Sequence, residues 1–388
     1  MTSSRSSTIG GGHPVVVIGA GPIGLAAAAN AAERGMRFVV LEAGPCAGAT
    51  VAEWSHVRLF SPWSELIDPA ARRLLETTGW AAPDGAVFPT GADWGTEYLE
   101  PLADLLDSSP HGRVRYDTRV TGVARQGRDR VVDSGRSTDP FVVHAETATG
   151  PARVAAGAVV DASGTWTTPN PLGADGYPAL GETAQAERIT YGIPDFRHPA
   201  TRARFAGKQV AVAGKGASAQ GVLIGLAQLA QENPATRVSW LLRRGSVGDA
   251  FGGGESDQLK QRGALGLQAQ AAAASGHVTD VTSFRTDSVT QQADGRLTLT
   301  SVDGQQVSGV DEIIVVTGFR PDLSFLSEVR LDLDPVLSSA RALASEIDPS
   351  FHSCGDVSPH GYRELTQPEE KLFIVGMKSY GRRRRSWP

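Results

Sequence analysis

The fold of this chain is decided by residues 15–42, whose sequence is VVVIGAGPIGLAAAANAAERGMRFVVLE. The run Val15–Ile18 is rich in β-branched residues and is typical of a parallel strand buried on both faces. A glycine-rich turn follows at once, and the alanine-rich residues 25–34 predict a helix. A second apolar run, Phe38–Leu41, ends at Glu42. The order of strand, turn, helix, strand and acid predicts a βαβ unit that binds a dinucleotide.

The turn of this unit consists of Gly19, Ala20, Gly21, Pro22, Ile23 and Gly24. It matches the pattern Gly-x-Gly-x-x-Gly, in which the glycines permit a tight turn, a close approach to pyrophosphate and close packing of helix on strand. The phosphates would lie at the helix N-terminus. Glu42, followed by Ala43, would accept hydrogen bonds from an unphosphorylated ribose and would repel a 2′-phosphate. These residues alone do not distinguish FAD from NAD.

A second unit of the same kind begins with the apolar run at residues 210–213. Its turn consists of Gly214, Lys215, Gly216, Ala217, Ser218 and Ala219. A helix over residues 220–230 and a strand over residues 238–242 follow, and that strand ends in Arg243 and Arg244. Two guanidinium groups suit a 2′-phosphate, so the second site is predicted to prefer NADPH over NADH. Two solvated arginines at a strand end are the alternative.

Two sites with opposite charge at the ribose position indicate two cofactors, one retained and one that delivers hydride. A chain of 388 residues is also longer than one hydrophobic core supports. We therefore expect an FAD-binding domain over residues 14–200 and 311–388, an inserted NADPH-binding domain over 201–310, and a disordered tail over 1–13.

Three further strands end in small-residue turns, at residues 159–165, 313–322 and 372–376, and the first two lie where the chain would cross between domains. At these ends we place additional cofactor contacts. Those of the first site are Ala162, Ser163, Gly164, Gly376 and Met377, and those of the second are Thr317 and Gly318.

Alternating apolar residues at 114–123, 141–154 and 284–307 predict antiparallel hairpins, and Asp-Gly turns at 294–295 and 303–304 support the last of these. The predicted fold class is therefore α/β, with two Rossmann-like dinucleotide-binding domains that each carry an antiparallel β flap. The proline-containing segment 169–199 is the best candidate for a hinge.

Composition excludes several classes of protein. The net charge of −5 argues against nucleic-acid binding, which needs a concentrated basic face. The apolar residues 15–29 are too few and too interrupted by glycine and proline to cross a membrane. Eight histidines show no metal-ligand spacing, and two cysteines make no disulfide framework. A cytoplasmic enzyme without a metal is expected, and a homodimer is left open.

The chain resembles the flavin-containing monooxygenase family, within the group of two-dinucleotide flavoproteins that includes N-hydroxylases and Baeyer–Villiger enzymes. The resemblance extends over residues 15–381 and rests on the two glycine turns in order and on Thr-Gly-Phe-Arg-Pro-Asp at 317–322. The sequence Gly-Met-Lys-Ser-Tyr-Gly at 376–381 resembles a bacterial branch of this group. The resemblance implies FAD at the first site and NADPH at the second.

In that family NADPH gives hydride to the flavin, O2 adds to the reduced flavin, and the resulting C4a-hydroperoxide oxidises a nitrogen, sulfur or carbonyl group. The resemblance thus implies a monooxygenase that acts on a small molecule. Ser61 and Trp63 fall where family members place side chains beside the flavin, and loop packing is the alternative for both. His360, Tyr362 and Arg363 lie in a loop that would contact substrate, and a solvated loop is the alternative.

A disulfide reductase is the rival class, and it needs a thiolate near the flavin. Cys46 follows Glu42 closely but has no nearby cysteine partner, and Cys354 is distant in sequence. Structural cysteines are the other explanation of both residues. A flavin-binding protein without turnover is the third class.

The C-terminus departs from the resembling branch, whose members continue after residue 381 with Arg-Ala-Pro-Thr-Phe-Leu and a final helix. Here residues 382–385 are four arginines, followed by Ser-Trp-Pro. A nucleotide sequence that encodes residues 384–388 also encodes Pro-Thr-Phe-Leu-Ala when its reading frame moves by one base. We hypothesise that the arginine run is a frameshift product and that the altered C-terminus impairs FAD retention and turnover.

Overall fold

A computed structural model describes residues 12–252, 254, 257, 259–347 and 360–382. The described residues divide into two compact units, one formed by residues 12–168 together with those between 320 and 382, the other by those between 169 and 319. Several residues singled out from sequence lie outside the described part, namely Cys354, most of the tail at 1–13, and residues 383–388 of the C-terminal run.

The first unit is built on a parallel sheet. Its strands are β1 (Val15–Ile18), β2 (Phe38–Leu41), β3 (Gly112–Arg115), β7 (Ala158–Asp161) and β16 (Leu372–Ile374). They are ordered β16-β7-β1-β2-β3. All residues of β1 are buried, as expected for a strand with parallel neighbours on both sides. The carboxyl ends of β1, β2, β7 and β16 therefore meet along one edge of this sheet.

Helices cover one face of this sheet and an antiparallel flap covers the other. The helices on that face are α1 (Pro22–Glu33), α2 (Ala49–Ala52), α3 (Trp63–Leu66), α4 (Pro69–Glu76), α5 (Gly91–Trp94) and α6 (Glu100–Asp107), with a π-helical turn at Gly95–Leu99. Helix α10 (Arg341–Ile347) packs in a separate small cluster, and the unit also has 3-10 turns at Ser324–Leu326, on the flap side, and at Gly376–Tyr380. The flap consists of β4 (Thr118–Arg125), β5 (Phe141–Thr147) and β6 (Gly150–Ala156). Leu25 and Leu102 pack in the core on the helical side, whereas Phe141 packs with Val16 on the flap side.

A buried ion cluster ties the flap to the segment before β16. Glu369 is 2% exposed and pairs with Arg125 at 2.7 Å and with Arg136 at 2.8 Å. Burial raises the pKa of Glu369, but the hydrogen bonds from the two arginines outweigh it and hold the pKa below its ordinary value. This cluster lies at the amino end of β16, away from the edge where the carboxyl ends of the strands meet.

The second unit repeats the arrangement. Its strands are β8 (Ile189–Tyr191), β9 (Gln209–Ala213), β10 (Arg237–Leu242), β11 (Val278–Thr282), β12 (Thr286–Gln291), β13 (Leu297–Ser301), β14 (Gln306–Val310) and β15 (Glu312–Val315). The parallel sheet has the order β11-β10-β9-β15-β8, and β12-β13-β14 form the antiparallel flap.

The helices of the second unit are α7 (Pro199–Phe205), α8 (Ala217–Glu232) and α9 (Lys260–Ala273), with 3-10 turns at Thr183–Arg188 and Gly248–Ala250. Val222 and Leu226 of α8 pack on one face of the sheet with Trp240, and Leu299 of the flap packs on the other with Ile313. The predicted α/β class, with two Rossmann-like units that each carry an antiparallel flap, is confirmed.

Two details differ from the prediction. The unit boundaries lie at 168/169 and 319/320 instead of 200/201 and 310/311, because β8 and β15 pair with each other and β15 pairs with β9. Residues 114–123 do not form one hairpin, because β3 pairs in parallel with β2 whereas β4 belongs to the flap. In the described part of the chain, no helix is both long and apolar enough to span a membrane.

Candidate functional site

The first glycine turn connects β1 to α1 with a backbone path that requires glycine. Gly19 has a φ of 101°, in the region that side chains rarely adopt. A Cβ at Gly24 would lie 1.9 Å from the carbonyl oxygen of Gly19, so α1 approaches the turn this closely only because residue 24 has no side chain. The turn therefore has the close helix-to-strand packing of a dinucleotide fingerprint.

The N-terminus of α1 is open at this turn. Gly21 is the N-cap, Pro22 is the first helical residue, and no described side chain caps the helix. A Cβ at Gly21 would meet no atom within 4 Å, and Ile23 is 46% exposed. The uncapped N–H groups and the partial positive charge of the helix end suit an anionic pyrophosphate.

Glu42 is held against this turn by backbone hydrogen bonds. Its Oε2 accepts from Ala20 N at 2.6 Å and its Oε1 accepts from Gly44 N at 2.7 Å. Each carboxylate oxygen retains capacity for another donor, such as a ribose hydroxyl. Ala43, also predicted to contact the cofactor, is exposed next to Glu42.

Two other segments predicted for the first site lie beside the glycine turn. A Cβ at Gly19 would lie 2.9 Å from the carbonyl oxygen of Ala162 and 3.1 Å from Cα of Ser163, so the turn after β7 contacts the first glycine turn. A Cβ at Gly376 would lie 3.0 Å from the side chain of Ile23. Gly164 and Met377 belong to the same two segments and are partly buried. Segments far apart in sequence thus meet around the N-terminus of α1.

The second glycine turn has the same construction. Gly214 has a φ of 136°, and a Cβ there would lie 2.4 Å from the carbonyl oxygen of Val316. Trp240 Nε1 donates to the carbonyl oxygen of Gly214 at 2.7 Å and fixes the turn against β10. Gly216 is the exposed N-cap of α8, which no described side chain caps. Of the other predicted contacts, Ser218 is partly buried and Ala219 is buried.

The predicted arginine pair, Arg243 and Arg244, is exposed at the carboxyl end of β10. Lys215, from the second glycine turn, reaches the same place, since its Nζ lies 3.4 Å from the point that a Cβ of Gly245 would occupy. Three cationic side chains therefore belong to the two adjacent turns that follow β9 and β10.

One carboxylate accompanies these cations. Asp249 Oδ2 accepts from Ser246 N at 2.9 Å. The hydrogen bonds from Ser246, followed by the charge of Lys215, hold the pKa of Asp249 below its ordinary value. Among the residues that the structure describes here, the carboxylate of Asp249 therefore lies beside Lys215 within a mainly basic set of side chains.

Thr317 and Gly318 follow β15 next to the second turn. Val316 N donates to the carbonyl oxygen of Ala213 at 2.9 Å, which places the end of β15 beside the end of β9. Asn170 Nδ2 donates to the carbonyl oxygen of Thr317 at 3.1 Å, and Gly318 has a φ of 89°. This turn is thus fixed at the carboxyl edge of the sheet.

The residues predicted to lie beside the flavin have different surroundings. Trp63 is 2% exposed and packs in the core of the first unit. Ser61 is partly buried in the loop before α3. Nothing in this geometry brings Trp63 to an accessible surface.

The predicted substrate loop lies largely at the surface. Tyr362 is 69% exposed, and the guanidinium of Arg363 lies 6.0 Å from its ring centroid. The ring of His360 packs edge-on against Tyr380 at 5.7 Å. Tyr362 and Arg363 are exposed, and their contact with substrate stays a prediction.

Cys46 is partly buried and is not in a disulfide. Burial raises the pKa of its thiol, and the charges of Glu100 and Glu42 raise it further. The thiol is therefore mainly protonated at neutral pH, which disfavours nucleophilic attack. Among the described residues, no group of histidines, cysteines and carboxylates could hold a metal ion.

Sequence reasoning missed Asp161 and Lys378, which form a buried ion pair at the edge beside the first glycine turn. The signal in the sequence was Asp161, an acidic residue at the end of the otherwise apolar strand β7. A buried carboxylate needs a partner, so its position predicts a cation nearby. The sequence gives no indication of which cation that partner is.

Two Rossmann-like units with paired glycine turns define the two-dinucleotide class of oxidoreductase folds. The chain belongs to the pyridine nucleotide-disulphide oxidoreductase family, whose model matches residues 16–340. No curated protein matches the chain in sequence.

Solved structures share the fold at low sequence identity. A bacillithiol disulfide reductase from Bacillus cereus is 20% identical, with a TM-score of 0.67 over 95% of this chain and 92% of that chain. A flavin monooxygenase from Stenotrophomonas maltophilia is 22% identical, with a TM-score of 0.56 over 95% and 91%. The FAD-bound cadaverine monooxygenase of desferrioxamine biosynthesis from Erwinia amylovora is 14% identical, with a TM-score of 0.60 over 95% and 89%. Both reductases and monooxygenases thus use this fold.

Proposed function

We propose that the chain is an FAD-dependent oxidoreductase that uses NADPH and acts as a monooxygenase on a small nucleophilic or carbonyl substrate. FAD belongs at the first glycine turn, where the fit rests on the space above Gly21 and the uncapped N-terminus of α1. Glu42 would hold the unphosphorylated ribose through the lone pairs that Ala20 and Gly44 leave free.

NADPH belongs at the second glycine turn. Gly216 and the N-terminus of α8 offer the same open anion site, and Arg243 and Arg244 supply the charge that a 2′-phosphate needs. When both cofactors are bound, they supply the electrons that place one atom of O2 in the substrate and release the other as water. The residues of the chain bind, orient and exclude water.

The surroundings of Cys46, which is partly buried and lies near two carboxylates that raise the pKa of its thiol, favour a monooxygenase over a disulfide reductase. A reductase of this fold needs a thiolate that attacks the disulfide, and burial together with Glu100 and Glu42 disfavours that thiolate. Oxygen transfer needs no such nucleophile from the protein. The reductase is nevertheless the second candidate, because a bacillithiol disulfide reductase shares the fold.

One experiment separates the two reactions. NADPH oxidation by the FAD-loaded protein is followed with a panel of amines, thiols, ketones and disulfides, together with oxygen uptake and peroxide release. A monooxygenase consumes O2 in proportion to product and incorporates labelled oxygen. Anaerobic NADPH oxidation with a disulfide, lost in Cys46→Ser, would establish the reductase instead.

A further inference from the structure

Lys378 is a buried cation in the first unit. It belongs to the 3-10 turn Gly376–Tyr380 that follows β16, and its side chain is 1% exposed. Its Nζ lies 2.7 Å from Oδ2 of Asp161, whose side chain is fully buried, and donates to Ser163 Oγ at 3.0 Å. The ring centroid of Phe325 lies 4.3 Å from the same atom. Lys378 is thus fully surrounded by protein.

A buried ion pair is weak evidence for stability. The cost of removing two charges from water cancels much of their attraction, and apolar pairs of similar size are often as stable. Removal of one partner strongly lowers the stability of the fold, however, because the other charge is then left buried and uncompensated. The arrangement around Lys378 is therefore better explained by what the pair holds in place.

The pair fixes the turn after β7. Asp161 Oδ1 accepts from the backbone N of Ser163 at 3.1 Å and from its Oγ at 2.6 Å, so Asp161, Ser163 and Lys378 form a closed set of polar contacts. This turn contacts the first glycine turn, where a Cβ at Gly19 would lie 3.1 Å from Cα of Ser163. A shift of Ser163 would therefore shift the surface beside Gly19.

The segment of Lys378 also contacts the first site directly. A Cβ at Gly376 would lie 3.0 Å from the side chain of Ile23 at the start of α1. Val375 N donates to the carbonyl oxygen of Asp161 at 2.9 Å, which joins β16 to β7 just before the pair. Lys378 thereby connects the segment after β16, the turn after β7 and the first glycine turn.

We propose that Lys378 is a positioning residue of the first dinucleotide site. Through Asp161 and Ser163 it fixes the turn after β7 against the first glycine turn, and this arrangement sets how tightly FAD is retained. The inference rests on the proposed function in one respect, the assignment of FAD to this site.

The test measures FAD affinity: the apoprotein is titrated with FAD, and the change in flavin fluorescence reports binding. We expect Lys378→Met to weaken FAD binding by about tenfold or more, because Asp161 loses its partner. The double variant Lys378→Met with Asp161→Asn removes both charges and is expected to recover most of the affinity. Ser163→Ala, which keeps the ion pair, is expected to weaken binding by about threefold to tenfold with little change in melting temperature.

Glu369→Gln is the matched control, since it disturbs a buried ion cluster of the same unit at the amino end of β16. It should lower the melting temperature and leave FAD affinity and the visible spectrum of bound FAD unchanged. Wild-type affinity in both Lys378→Met and Ser163→Ala would overturn the proposal, as would an equal loss of affinity in Glu369→Gln. If the wild-type apoprotein binds no FAD, the proposed function itself has failed.

Discussion

Arg243 and Arg244 are exposed at the end of β10, where the ribose of a dinucleotide would lie. We expect replacement of both by alanine to raise the KM for NADPH by about tenfold to a hundredfold, because the loss of charge-assisted hydrogen bonds to the 2′-phosphate at this exposed site costs about 1.5–3 kcal/mol in total. The KM for NADH should change little. Arg237→Ala, at the start of the same strand, is the control and should affect neither cofactor. Equal effects on NADPH and NADH would contradict the assignment.

The thiol of Cys46 gives a prediction about pH. Burial, Glu100 and Glu42 disfavour the thiolate, so alkylation of Cys46 by iodoacetamide should be slower than that of a free cysteine at neutral pH and should rise as the pH approaches its raised pKa. Glu100→Gln removes one of the carboxylates and should increase the rate at a fixed alkaline pH. The measurement is peptide mass spectrometry on the fragment that contains Cys46. Rapid alkylation at neutral pH would indicate a reactive thiolate and would support the disulfide reductase as the function.

The turn between β1 and α1 offers a matched pair of substitutions. Gly24→Ala places a Cβ 1.9 Å from a backbone oxygen, so we expect a large loss of thermal stability. Gly21→Ala meets no protein atom within 4 Å, so the apoprotein should melt as the wild type does. Its methyl group would nevertheless occupy the space assigned to the pyrophosphate, and FAD affinity should fall. Titration and thermal melting check both variants, and unchanged FAD affinity in Gly21→Ala would place the cofactor elsewhere.

Local patterns predicted the elements that carry the two glycine turns, because strand, turn and helix follow one another in the sequence. Pairing between distant segments was harder to predict. Residues 114–123 alternate like a hairpin, yet β3 joins the parallel sheet beside β2, and alternation does not specify a partner. Likewise Asp161 and Lys378 are far apart in the sequence, and only the pairing of β7 with β16 brings them together.

At the scale of the whole molecule, the unit boundaries give a prediction. Residues 169–319 are contiguous and contain a complete parallel sheet, so this fragment should melt cooperatively and bind 2′,5′-ADP on its own. A fragment of residues 201–310 is the control. It lacks β8 and β15, which leaves the apolar strand β9 without one neighbour, and it should aggregate. Calorimetry and light scattering distinguish the two, and a well-folded 201–310 fragment would contradict these boundaries.

The edge strand β16 has a consequence for synthesis on the ribosome. Its three residues, Leu372–Ile374, complete the first sheet, although β1 and β7 emerge from the ribosome much earlier. The second unit emerges whole in between and can fold while translation continues. During that interval the nascent first unit exposes the backbone of β7 as an unpaired edge, which is a site of aggregation. Chaperone demand should therefore be greatest for this unit, and slow translation of the codons between β7 and β16 would prolong the exposure of this edge.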